Sequence, residues 1–171
     1  MLKELNIEFE KGIRLLTEYL PVSDNSTRKP ILFHDIRVGS YLYENGYSCD
    51  VVLGGLLHDA IEFSSMTEQI LRDEFGDEVT RLVLASTKDD SIEDKEEKTR
   101  ELIIRCVQNG QDALIVKAAD ILDSFKYYTA EQNADQLQYC LRNANAIFQH
   151  KPDEFKDEIF NELIAWMDKS E

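Results

Sequence analysis

Apolar residues recur along this chain at helical intervals, and strand-like alternation is scarce. In "KPILFHDIRVGSYL", Ile31, Val38 and Leu42 stand at i−3, i+4 and i+8 from His34, so one face of a helix is apolar. "VVLGGLL" (51–57) is apolar throughout, as a fully buried segment would be. Ile70, Leu71 and Phe75 follow the opening Thr67-Glu68-Gln69, and Gly76 closes that segment. Asp94 with Glu97 three residues on has the form of a capping box. Asn45-Gly46 and Asn109-Gly110 are stop signals, and Pro30 and Pro152 suit the first turn of a helix. "DALIVKAADIL" contains a short β-branched run inside a longer segment of helical spacing.

These signals predict an all-α, compact bundle of about eight or nine helices. Their expected spans are roughly 2–20, 30–45, 48–63, 67–76, 77–86, 94–108, 111–129, 134–149 and 152–169. The polar stretches 21–29 and 87–98 have no apolar period and are expected to be the flexible parts. No internal repeat or low-complexity linker interrupts the chain, so residues 1–171 are expected to form a single domain. Phe155, Ile159, Phe160, Leu163 and Trp166 make the last segment amphipathic. That stripe suits a core face first and the contact face of a homodimer second.

Composition narrows the partners. Of 171 residues 43% are hydrophobic, enough for a sizeable core. The net charge of −15 and the lack of a Lys/Arg cluster argue against binding duplex nucleic acid. Anionic substrates are disfavoured at long range unless a metal or a local basic group offsets the acidity. No apolar run approaches the ~20 residues needed to cross a bilayer, so no membrane partner is expected. The charged N-terminus does not read as a signal peptide. Cys49, Cys106 and Cys140 are odd in number and lack CxxC spacing, which fits reduced thiols in a cytoplasmic protein.

The candidate chemistry centres on "GGLLHDAIEF" (54–63), where His58 and Asp59 follow an apolar run. Burying an ionised aspartate is expensive, and a divalent cation would offset that cost. Glu62 lies at i+4 from His58 and i+3 from Asp59, on the same face. His34 lies near the buried face of its own helix, whereas His150, at a helix end beside a proline, reads as exposed. "VKAADILDSF" is largely apolar yet carries Lys117, Asp120 and Asp123. Taken singly, each of these polar residues is as well explained by a cap, an ion pair or a satisfied core histidine.

Together they resemble the H…HD…D signature of HD-domain phosphohydrolases, over about Lys29 to Tyr128. The resemblance is nearest to the branch that hydrolyses the alarmone (p)ppGpp, in the stringent-response enzymes and their small single-domain relatives. "KPILFHDIRVGSYL" is similar to that branch's "PYxxHPxxVAxIL" and "LLHDAIEF" to "LLHDVVED". "EFGDEVTRLVLASTK" is similar to "xFGxxVxxLVxGVTK", and "ALIVKAADILDS" to "VxxVKLADRLHN".

The resemblance implies one divalent metal, usually Mn²⁺, held by His34, His58, Asp59 and Asp120, with other first-row metals also suited to such ligands. It implies Glu62 as the catalytic residue that orients or deprotonates water. Arg28, Lys29, Phe63, Thr87, Lys88, Lys117 and Ser124 are the implied substrate-binding positions. The implied function is a metal-dependent phosphohydrolase on a nucleotide or small phosphoester, most like a (p)ppGpp 3′-pyrophosphohydrolase. A 5′-nucleotidase-type phosphomonoesterase and a catalytically weak metal- or nucleotide-binding sensor are the alternatives.

The chain departs from the pattern at four places. Phe63 replaces the second acidic residue, Ser124 an asparagine, and Asp35 the proline after the first histidine. The arginine that precedes the first histidine has no clear match other than Arg28.

Overall fold

The computed structural model describes residues 2–169, and among them nine helical segments and no strand. They fall into two compact units, Met1–Thr87 and Lys88–Glu171.

The first unit holds α1 (Leu2–Tyr19), α2 (Ile31–Glu44), α3 (Cys49–Leu57), α4 (Ala60–Phe63) and α5 (Glu68–Ser86). Pro30 precedes α2, its fixed φ already suited to entering a helix. Asn45 and Gly46 end α2, and Gly46 takes φ +75°, where only glycine is at ease. Ser48 caps α3 by accepting from the Val51 N–H. Every residue of α3 from Val51 to Leu57 is buried, and α1, α2 and α5 all pack on it. An all-apolar helix must be enclosed, so α3 is the axis of this unit.

Glycines set how closely α2 and α3 approach. A Cβ at Gly55 would stand 2.3 Å from Leu42 Cδ1, and one at Gly39 would stand 2.9 Å from Leu56 Cβ. The expected helix over 48–63 is interrupted at His58-Asp59, where Asp59 opens to ψ −4° and α4 adds one further turn. The two expected segments 67–76 and 77–86 are halves of α5, bent at Gly76 (φ +83°).

The second unit holds α6 (Lys95–Gln108), α7 (Gln111–Ala130), α8 (Ala134–His150) and α9 (Glu158–Asp168). Asp94 caps α6 by accepting from the Glu97 N–H at 2.8 Å. Asn109 and Gly110 (φ +98°) separate α6 from α7. All residues from Ala113 to Phe125 are buried, and α6, α8 and α9 surround α7.

The last helix starts at Glu158 rather than Pro152. Lys151, forced into extended backbone before a proline, ends α8, and Pro152 opens a single turn closed by the Phe155 N–H on its carbonyl. Asp157 then caps α9. Ile159, Phe160 and Leu163 are buried as core, while Phe155 and Trp166 are half-buried. His150, expected to be exposed, is also half-buried, in the last turn of α8.

The stretches expected to be flexible contain ordered Asx turns. Asp24 accepts from the Ser26 hydroxyl and N–H, and Asp89 accepts from the same two groups of Ser91. Residues 95–98 already belong to α6.

Candidate metal centre

Two elements of the first unit bring polar groups into its core. α2 presents His34 and Asp35, both fully buried, from the first turns after Pro30. The junction between α3 and α4 presents His58 and Asp59, buried to within 2% and 8% exposure. Among the described residues these four form the group able to hold a metal ion, one donor atom from each lying within 4.8 Å of the rest.

The protons can be placed from the hydrogen bonds. His58 Nδ1 lies 2.8 Å from the Gly55 carbonyl oxygen. A carbonyl only accepts, so Nδ1 carries the proton and donates it. In the neutral ring Nε2 then keeps its lone pair. That atom faces His34 Nε2 at 3.3 Å and Asp59 Oδ1 at 3.4 Å. The other Asp59 oxygen lies 4.0 Å from His34 Nε2. The two rings meet edge to face, with centroids 5.1 Å apart.

This donor set fits a divalent cation. Ligands bound ~2.0–2.2 Å from one ion at tetrahedral or octahedral angles stand roughly 3.0–3.5 Å from each other, and the two shorter separations lie in that range. The charges also balance: two neutral imidazoles and two carboxylates, Asp35 and Asp59, meet the charge of one M²⁺. Isolated buried carboxylates would be costly without such compensation. The nitrogen and oxygen donors suit first-row metals and leave several open to use.

Glu62 stands half-buried on α4, on the turn that follows Asp59. The α4 turn is closed by Ser64, whose hydroxyl donates to the Ala60 carbonyl and accepts from the Met66 N–H. Phe63 is half-buried beside Glu62. Arg28 is exposed, and Lys29, next to Pro30, is buried. Thr87 ends α5 with its hydroxyl on the Val83 carbonyl.

The remaining expected site residues belong to the second unit. Asp120 lies buried on α7 and receives the Lys117 ammonium at 2.7 Å, while the Ser124 hydroxyl lies 3.4 Å from its other oxygen. One turn up and one turn down the helix, Lys117 and Ser124 thus bracket one carboxylate. Burial alone would lower the pKa of Lys117, but the attraction of Asp120 outweighs it and the ammonium is held above its ordinary range. Lys88 lies over the Tyr139 ring at 5.9 Å.

Asp35 is the residue that sequence reasoning missed, since it registers there only as a lost proline. Its signal is nonetheless present. Asp35, Val38, Gly39 and Leu42 follow the i, i+3, i+4, i+7 spacing, and all four are buried. A carboxylate in the middle of such a stripe calls for a partner.

Comparison with known proteins shows the family. A guanosine-3′,5′-bis(diphosphate) 3′-pyrophosphohydrolase of Aquifex aeolicus is 27% identical over 122 residues, covering 70% of this chain and 17% of that protein. A probable enzyme of the same name from Mycoplasma pneumoniae is 34% identical over 110 residues, covering 56% of this chain and 15% of that protein. The chain thus corresponds to about a sixth of the length of these curated relatives. Among solved structures, a metazoan ortholog of SpoT that hydrolyses ppGpp has a TM-score of 0.75 at 18% identity, covering 95% of this chain and 94% of that one. A protein from Listeria monocytogenes EGD-e has a TM-score of 0.66 at 26% identity, covering 84% and 99%. The HD domain family matches residues 13–150, which run through both His34 and the His58-Asp59 pair. With that match over most of its length, this chain belongs to the HD domain family.

Proposed function

We propose that this chain is a metal-dependent phosphohydrolase acting on a nucleotide or a related small phosphoester, with the 3′-diphosphate of (p)ppGpp as the leading substrate. The observation that carries the reading is the convergence of His34 Nε2, His58 Nε2 and the Asp59 carboxylate in the core of the first unit. The names of the Aquifex and Mycoplasma relatives and of the metazoan structure support the substrate class. The family match spans residues 13–150, which favours treating 1–171 as one HD-type domain.

A bound divalent ion, Mn²⁺ in this reading, would make its water more acidic and polarise a phosphoryl oxygen. The residues of the chain do the rest. Gly55 fixes the tautomer of His58 through its carbonyl, so that Nε2 is the donor. Asp59 supplies charge at the edge of the site. Glu62, on the helical turn that follows Asp59 and not among the four grouped donors, accepts the proton of the attacking water. Phe63, which cannot move a proton, offers its ring to a base. Arg28, Lys29, Thr87, Lys88, Lys117 and Ser124 are retained as phosphate- or nucleotide-binding candidates on the resemblance alone. The acidic composition, a net charge of −15, makes local cations such as Arg28, Lys29, Lys88 and Lys117 important for attracting a polyphosphate.

Among the described residues no helix is long and apolar enough to cross a membrane. All three cysteines are free thiols, which supports a cytoplasmic setting.

The test is a turnover screen with Mn²⁺ over ppGpp, pppGpp, nucleoside monophosphates and sugar phosphates, with products identified by chromatography. Release of diphosphate from ppGpp, abolished by a chelator and restored by Mn²⁺, is the expected result. Release of monophosphate from nucleoside monophosphates instead would favour the 5′-nucleotidase reading. Nucleotide binding without turnover of any of these compounds would favour the sensor reading, for which Phe63 and Ser124 argue.

A further inference from the structure

Two consecutive residues of α2 hold the two ends of one imidazole. His34 Nε2 faces His58 Nε2 at 3.3 Å, and Asp35 Oδ1 lies 3.7 Å from His58 Nδ1 on the other side of the ring. We propose that Asp35 is a positioning residue for the metal centre: its carboxylate, set behind His58, strengthens that histidine as a ligand. The inference rests on the metal-centre reading given above.

The argument is electrostatic. The Nδ1 proton already goes to the Gly55 carbonyl at 2.8 Å, so the tautomer does not need Asp35. What the carboxylate adds is negative charge, fully buried and close to the ring. Donation from Nε2 to a cation leaves the imidazole partly positive, and that positive charge is stabilised by a carboxylate behind it. The low dielectric of a fully buried position lets the effect act at close to full strength. Asp35 also completes the charge count that makes the group neutral with M²⁺. Its seat on α2 is rigid, because α2 is pressed against α3 at Gly39 and Gly55. The family pattern has proline here, so this contribution is a property of this chain.

The experiment is a calorimetric titration of Mn²⁺ alone into chelator-stripped protein, wild type and Asp35→Asn, with circular dichroism to check the fold. Asp35→Asn keeps the volume and an acceptor oxygen and removes only the charge. The Mn²⁺ Kd is expected to rise by roughly 10–100-fold, the usual effect of losing an outer partner of a metal-bound histidine. Unchanged affinity in the folded variant would overturn the inference, even if its melting temperature moved. Complete loss of measurable binding would also overturn it, since Asp35 would then be a ligand itself. Asp35→Ala decides on the same criteria should Asp35→Asn fail to fold. The wild type gives an independent reading: ring ¹⁵N spectra of the Zn²⁺-loaded protein should show a protonated Nδ1 and a metal-bound Nε2 at His58, and the reverse would exclude Asp35 from its place behind the ring. A wild type that takes up no metal would sink the metal-centre reading as a whole, which is a different result from unchanged affinity in the variant.

Discussion

His34 and His58, 24 positions apart in sequence, point their Nε2 atoms at each other across 3.3 Å in the core of the first unit. At least one of these atoms carries a lone pair, because the Nδ1 proton of His58 is given to Gly55. With Asp59 alongside, the pair predicts about one divalent ion per chain. Saturating Mn²⁺, at a hundred times its Kd, should stabilise the fold by about 2.7 kcal/mol through linkage. Asp59→Ala removes a charged donor and should abolish tight binding. Metal analysis of the purified variant is the check, and full occupancy there would remove Asp59 from the donor set.

Glu62→Gln separates proton transfer from metal binding. The side chain keeps its length and polarity, and at a half-buried position it should cost little stability. Metal content should stay at the wild-type level while kcat falls by roughly 10²–10⁴-fold. Loss of the metal together with the rate would place Glu62 among the ligands.

On α7 the Lys117–Asp120 pair also bears on stability, in a way that urea unfolding can measure. Lys117→Met leaves Asp120 buried without its ammonium and should lower stability by about 3–5 kcal/mol, the usual cost of breaking a buried pair from one side. Lys117→Met with Asp120→Leu removes both charges and should recover much of that loss. If the double variant is no more stable than the single one, the ion pair is not the source of the effect.

The cysteines should divide sharply in reactivity. Cys49 is exposed at the start of α3, whereas Cys106 and Cys140 are fully buried. Burial pushes the Cys106 thiol up to about 12, so it supplies almost no thiolate near neutral pH. A thiol reagent should therefore modify one cysteine per native chain quickly and the other two only on unfolding, as mass spectrometry of the labelled peptides would show. Fast labelling of Cys106 would mean that its part of the second unit opens readily.

Much of this was legible in the sequence, because punctuation is local chemistry. Asn45-Gly46, Asn109-Gly110, Thr67 and Asp94 fixed their helix ends through caps and backbone geometry that depend on few neighbours. Pro152 misled because a proline tolerates a helix's first turn without requiring one, and the extended Lys151 before it diverts the chain. The break at His58-Asp59 was hidden by an apolar period that runs on through Ile61. The resemblance singled out His34, His58 and Asp59, which the structure groups together, but a family pattern registers Asp35 only as a mismatch. Its position beside His58 depends on how two helices pack, as does the grouping of the nine segments into two units, and neither is a property of any single stretch.

Gly55 ties the architecture of the first unit to its chemistry at one backbone position. Its missing side chain lets α3 lie against Leu42 and Val38 of α2, and its carbonyl holds the ring that α2 then meets. The gap between the two histidines is therefore gauged by helix spacing, much as the jaws of a vice are set by its screw. A bound ion would have to fit that gap. Substitutions along the α2–α3 seam, remote from every donor atom, would thus retune which metal the protein prefers before they cost it its fold.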